Sequence, residues 1–201
     1  MHAEQAPSAT SREGIPPLAF LALPVAVYLI GFLFLPRPTS TEADRALVDR
    51  GVLSDVLFLQ RPSFDHELGV TLGKAVRLLG TDTTGGPLAR GDTIEVSLFV
   101  EVLTELDRDW RMFLHIDAQS GGYRIHGDHL PLGGRYLSSL WRAGEFLNDR
   151  YTTSVPLDAT PGTYDIWAGF YIGEERMSVS DASSGLHDGE NRVRIGTIEI
   201  R

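Results

Sequence analysis

The most metal-like string in this 201-residue chain is His126-Gly127-Asp128-His129, which places two imidazoles and a carboxylate within four residues. Zinc takes three or four such ligands in a tetrahedral array, and His115 is available as a third ligand from a neighbouring strand. No helix is predicted here to align the donors, and acids beside glycine commonly cap backbone amides in turns. The string therefore reads as a turn built around Asp128, with no metal expected.

Asp128 and Glu145 could form a carboxylate pair for glycoside chemistry, which needs a separation of roughly 5 to 9 Å across a cleft. A turn acid is the plainer reading of each. Trp110, Trp141 and Trp167, with Tyr123, Tyr136, Tyr151 and Tyr171, could stack on sugar rings. Trp110 and Trp167 fall in predicted strands, where core packing is the default. Trp141, in the long connection 131–149, is the one expected to be exposed or interfacial. Asp181, Asp188, Glu190 and Asn191 lack the fixed spacing of a calcium loop and read as a solvated turn. Nucleophile elbows, phosphate-cradling loops and dinucleotide fingerprints are absent from the sequence. The expectation is thus no catalytic residue, no metal and no cofactor.

The elements that would carry these residues are strands. Ile94, Val96, Leu98 and Val100 alternate with Glu95, Ser97, Phe99 and Glu101, and Trp110, Met112, Leu114 and Ile116 alternate with Arg111, Phe113, His115 and Asp117, both with the period of a half-buried strand. Further strands are expected at 70–79, 122–126, 151–157, 164–172 and 192–200, punctuated by glycine- and proline-rich turns. In the last of them Val193 and Ile195 are out of phase with Ile198 and Ile200, and a bulge near Gly196 would reconcile them. Short strands between such turns point to an all-β fold, an Ig-like antiparallel β-sandwich of about seven to eight strands over 69–201. Residues 39–51 read as a short helix, with capping residues, early acids and a glycine stop, inside a juxtamembrane connector over 37–68.

A polar tail over 1–14 precedes the apolar run. Residues 18–35 carry no charge, and at 1.5 Å per residue they reach about 27 Å, close to the hydrocarbon thickness of a bilayer. Pro16 and Pro17 stand before the run and Pro36 and Pro38 after it, which sets a transmembrane helix at 15–36. Pro24 predicts a kink, and together with Gly31 it points to packing on other membrane helices, with Tyr28 a further candidate contact; an isolated tether is the alternative reading. A cleaved signal peptide is the competing reading, but the run exceeds the usual h-region of about 7 to 15 residues. The net charge of −9 excludes nucleic acid as a partner. Cysteine is absent, which removes thiolate chemistry and leaves the compartment open.

Several strings over 78–200, about 60% of the chain, resemble the C-terminal β-sandwich of bacterial polytopic membrane glycosyltransferases of the protein-mannosyltransferase type. They are RLLG at 77–80, RGD at 90–92, FLHID at 113–117, Gly127-Asp128 with Pro131, WRAGE at 141–145, DRY at 149–151, and PGTY at 161–164 leading into GFY at 169–171 and Arg176. That family's domain lies on the extracytoplasmic side, after the last membrane helix. The resemblance implies the same side here, in a bacterial inner membrane with a cytoplasmic N-terminus, although Arg37, Arg45 and Arg50 against Arg12 favour the reverse on a bare positive-inside count. The multi-helix enzyme is missing, so glycosyl transfer does not carry over.

The expected function is a non-catalytic, single-span accessory subunit whose sandwich scaffolds a larger membrane assembly, such as a respiratory or photosynthetic one, with integral membrane subunits and the lipid bilayer as partners. The alternative is a tethered carbohydrate-binding module that takes envelope glycan through Trp141, Tyr136 and Tyr151. A third option, an enzyme using Asp128, His129 and Glu145, has the least behind it.

Overall fold

Period-two burial organises the chain from residue 57 onward. The computed structural model describes residues 40–181 and 186–201. The expected membrane helix at 15–36, with Pro24, Tyr28 and Gly31, lies outside the described residues, and among the described residues no helix is long and apolar enough to cross a membrane. In chain order the elements are helix α1 (Ser40–Leu47), a 3-10 turn (Arg50–Leu53), and strands β1 (Leu57–Phe58), β2 (His66–Leu72), β3 (Val76–Thr83), β4 (Pro87–Leu88), β5 (Thr93–Val102), β6 (Arg111–Ala118) and β7 (Arg124–His126). Two 3-10 turns follow at Pro131–Gly134 and Ser138–Leu140, then β8 (Phe146–Ser154), β9 (Gly162–Ile172), β10 (Glu175–Arg176), β11 (Val179–Asp181) and β12 (Val193–Ile200).

These strands form two facing sheets, ordered β1-β8-β5-β3-β2-β11 and β4-β12-β9-β6-β7, with β10 pairing β9. The molecule is mostly β, a sandwich with one short α-helix among the described residues. Pairing is antiparallel except between β4 and β12, which run parallel at Pro87–Glu199 and Leu88–Ile200. Inner faces interleave Leu72, Leu78, Ile94, Leu98 and Leu147 from one sheet with Met112, Leu114, Ile116, Ile166 and Phe170 from the other, all buried. Burying one such Leu or Ile side chain contributes about 1.5 to 3 kcal/mol.

The expected strand at 70–79 is instead a hairpin. Gly73 and Lys74 both take positive φ, 58° and 59°, and the Ala75 N–H donates to the Leu72 carbonyl at 3.0 Å. Leu72 pairs with Val76, so the loop is residues 73–75, and its two left-handed residues reverse the chain; Lys at the second position hides the turn from a sequence reading. The bulge expected in the last strand is present, as a register shift between Arg194 and Gly196 that keeps Val193, Ile195, Ile198 and Ile200 all buried.

At the entry to the sandwich, α1 is clamped by a buried arginine. Arg45 donates through Nε and Nη2 to the Ser139 carbonyl at 3.1 and 2.7 Å and to the Leu106 carbonyl at 3.0 Å, and pairs with Glu105. Arg142 returns a bond to the Arg45 carbonyl at 3.0 Å. Arg50 reaches Glu145 Oε1 at 3.0 Å, and Leu53, Val56 and Leu57 join the core. The connector is therefore continuous with the sandwich. At the crossover into β9, the Tyr164 hydroxyl donates to the Thr160 carbonyl at 2.7 Å.

Candidate functional site

The HGDH string is extended backbone at the edge of the second sheet. β6 and β7 pair with His115 opposite His126 and Asp117 opposite Arg124. The pairing runs on beyond β7: the Gly127 N–H donates to the Leu114 carbonyl at 2.7 Å, and His129 and Met112 exchange N–H···O bonds at 2.9 Å. Successive side chains on a strand point to opposite faces. His126 and Asp128 therefore face outward with Phe113 and His115, while Gly127 and His129 face inward with Met112 and Leu114. The expected grouping of His126, Asp128 and His129 is corrected by this parity: residues three apart on a strand cannot share a ligand. The turn expected around Asp128 is corrected too, because the carboxylate meets side chains.

On the outer face, the donor atoms of His115, His126 and Asp128 all lie within 4.8 Å of one another. His115 is buried at 7% exposure, whereas His126 and Asp128 are exposed. His115 Nε2 stands 3.5 Å from Asp128 Oδ1, and the His126 ring meets the His115 ring edge-on at 5.4 Å. Tyr171 donates its hydroxyl to Asp128 Oδ2 at 3.3 Å. Burial, reinforced by Arg124, pushes the His115 imidazole below its usual 6.5 against the pull of Asp128 and Asp117, so it is neutral at pH 7. Arg124 is engaged by Asp117 at 2.5 and 2.8 Å, and Arg192 bridges Asp117 at 2.9 Å and Asp188 at 2.5 Å. A cleft of about 200 Å³ opens beside the cluster, bounded by Phe113, Tyr171, Glu174 and Arg176.

On the inner face, His129 faces hydrogen-bond acceptors at both ring nitrogens. Nδ1 lies 2.7 Å from the Gly127 carbonyl and Nε2 2.7 Å from Asp149 Oδ2. Only the imidazolium donates twice, so His129 is charged here. Burial by itself would lower its pKa, but the Asp149 carboxylate and the Gly127 carbonyl outweigh that and hold it above 6.5. Asp149 is 3% exposed, and its other oxygen accepts the Leu132 N–H at 2.6 Å. The Tyr151 ring stacks on His129 with centroids 5.0 Å apart and covers Gly127, where a Cβ would come within 2.8 Å of the ring.

Glu145 is far from this chemistry. It accepts from Arg50, from the Tyr136 hydroxyl at 2.9 Å and from the Arg142 N–H at 2.8 Å, and it shares no hydrogen-bonding partner with Asp128 among the described residues. Trp141, expected at the surface, is 1% exposed: the turn at Ser138–Leu140 carries it inward, where Nε1 donates to the Tyr136 carbonyl at 3.0 Å and the ring meets Phe170 edge-on. Tyr136 is equally buried, and Tyr151 is half-buried between the sheets. Trp110 is in the core as expected, but Trp167 faces outward, half-buried beneath the Arg192 guanidinium at 4.8 Å. Tyr123 bonds Asp158 at 2.7 Å. In the acidic loop, Asp188 is held by the Glu190 N–H and by Arg192, and Asn191 accepts the Val179 N–H.

Sequence reasoning missed Asp149 as a partner and Arg45 as a clamp. Asp149 stands in phase with Leu147 and Tyr151 on β8, and an acid at a core-facing position is the signal that would have found it. Arg45 leaves no such mark, because its acceptors are main-chain carbonyls some 60 to 94 residues away.

No protein-family model matches the sequence, and no curated protein matches it. Among solved structures, the crystal structure of the C-terminal domain of Wzt is similar, at 16% identity and a TM-score of 0.43, over 70% of this chain and 82% of that one. The sandwich is established by the two sheets themselves.

Proposed function

We propose that the chain is a non-catalytic accessory subunit, held in a bacterial inner membrane by residues 15–36, whose immunoglobulin-like sandwich braces the extracytoplasmic surface of a larger membrane assembly. The carrying observation is the clamp on α1. A passive tether would be polar and unpacked, as flexible linkers are. Here Arg45 is buried and makes three bonds to carbonyls, and Arg50 engages Glu145, so the chain enters the sandwich at a fixed point. A bracing element needs such a fixed point to transmit position.

The finer assignment of an immunoglobulin-like sandwich, as in the mannosyltransferase-type domains, is supported by the Tyr164 bond to Thr160 at the start of β9, which has the form of a tyrosine corner. A non-catalytic role is supported by the separation of the candidate acids, with Asp128 on the outer face and Glu145 in an arginine-tyrosine network. The alternative of a glycan-binding module is weakened by the burial of Trp141 and Tyr136, two of its three proposed aromatic contacts.

Purification of the full chain from native membranes in mild detergent tests the reading. Co-purifying integral membrane subunits, lost on Arg45→Ala, are the expected result. A monodisperse monomer retained on glycan resin would overturn it.

A further inference from the structure

His115 is the anomaly of the outer face. Among the described residues its Nδ1 is buried without a hydrogen-bond partner, and its Nε2 stands 3.5 Å from the Asp128 carboxylate, beyond a good hydrogen bond. Nε2 is the ring nitrogen turned toward the cluster, and a water or an ion between it and Asp128 would give it the close partner it lacks. Among the described residues, the His115 ring meets those of Phe113, at 5.0 Å, and His126.

From these observations we infer that His115, His126 and Asp128 form a binding site for a divalent transition-metal ion, of which Zn²⁺ is the representative. Three features support it independently. His115 and His126 are directly opposite across an antiparallel pair, where Cβ atoms stand roughly 4.5 to 5.5 Å apart, and Asp128 follows two residues on, on the same face. The donor set of two imidazoles and one carboxylate suits zinc and its first-row neighbours, whereas calcium and magnesium take oxygen ligands. Tyr171, bonded to the far oxygen of Asp128, is placed to orient the carboxylate as outer-shell partners of metal ligands do.

The geometry needs only a modest contraction. Zinc bonds of about 2.0 to 2.1 Å put ligand atoms roughly 3.3 Å apart in a tetrahedron, against the present spread of up to 4.8 Å. His126 and Asp128 are exposed and can swing inward, while buried His115 stays as the fixed member. The nearby cations do not compete: Arg124 is held by Asp117, and Arg176 donates to the Glu190 carbonyl at 2.9 Å. The remaining coordination positions face solvent and the cleft beside Tyr171. This site stands apart from the bracing role and does not depend on it.

Titration calorimetry of the untagged full-length protein in detergent with ZnCl₂ tests the site. One equivalent is expected to bind, with His126→Ala and Asp128→Asn each weakening binding by on the order of a hundredfold, and Tyr171→Phe by about tenfold. Both ligand variants change exposed side chains, so folding should survive, and a far-ultraviolet spectrum checks it. His66→Ala, on the other sheet, should bind as the parent does. Binding that is absent in the parent, or unchanged in both ligand variants, would overturn the site.

Discussion

His126 and His129 stand three residues apart, yet they occupy opposite faces of one sheet edge. The outer histidines see a partly solvated face, and the buried one of them, His115, has no hydrogen bond to favour its charged form, so burial keeps it neutral. The inner histidine is half-buried and slightly more exposed than His115, yet it is charged because Asp149 and the Gly127 carbonyl accept hydrogen bonds from both of its ring nitrogens. Burial alone does not set the protonation state of an imidazole; the acceptors that burial brings with it do. The outer group is thus poised to take a cation, and the inner one already is a cation.

The sharpest way to break the contrast is to remove the inner acceptor. Asp149→Ala leaves the His129 charge without its counter-ion and the Leu132 N–H buried without a partner, and should destabilise the sandwich by about 3 to 5 kcal/mol in urea unfolding; a loss below about 1 kcal/mol would mean that the inner pair does not hold the sheets. Gly127→Ala comes next. Its new Cβ meets the Tyr151 ring, and an overpacking cost of about 1 to 3 kcal/mol is expected in the same assay, with the pair itself intact.

The pH dependence separates the two faces more finely. The folded pKa of His129 is raised above the unfolded value of 6.5, so its contribution to stability is fully present below 6.5 and is lost as pH rises through the folded pKa. Each unit of elevation is worth about 1.4 kcal/mol. Unfolding midpoints measured in chelator from below pH 6.5 upward should fall for the parent relative to His129→Gln, and parallel curves would contradict a charged His129. The smallest effect belongs to the outer face: His126→Ala should leave metal-free stability within about 0.5 kcal/mol of the parent, since an exposed side chain with only an edge-on ring contact contributes little.

Much of the sandwich was legible before the structure. Alternation placed β5 and β6, and the phase break in the last strand located its bulge, while the described residues form twelve strands where about seven to eight were expected, the surplus being pieces of two or three residues. The hairpin at Gly73-Lys74 was hidden because lysine seldom marks a left-handed turn. Trp141 was misplaced because a proline- and glycine-bounded connection reads as surface. Its burial depends on a 3-10 turn and on Phe170 arriving from the opposite sheet.

The site followed the same division. From composition and spacing alone came the presence of histidines and acids around 115–129 and the absence of thiolates, whereas the parity that separates residue 126 from residue 129 came from the strand pairing continuing through His129. The register of β6 on β7, which sets His115 against His126, came only from the tertiary structure, as did the packing of β8 across the sandwich that brings Asp149 to His129. Periodicity is a local property and can be read along the chain. Which residue stands opposite which depends on turn lengths, twist and the burial of both sheets at once, and those are settled only when the whole core closes.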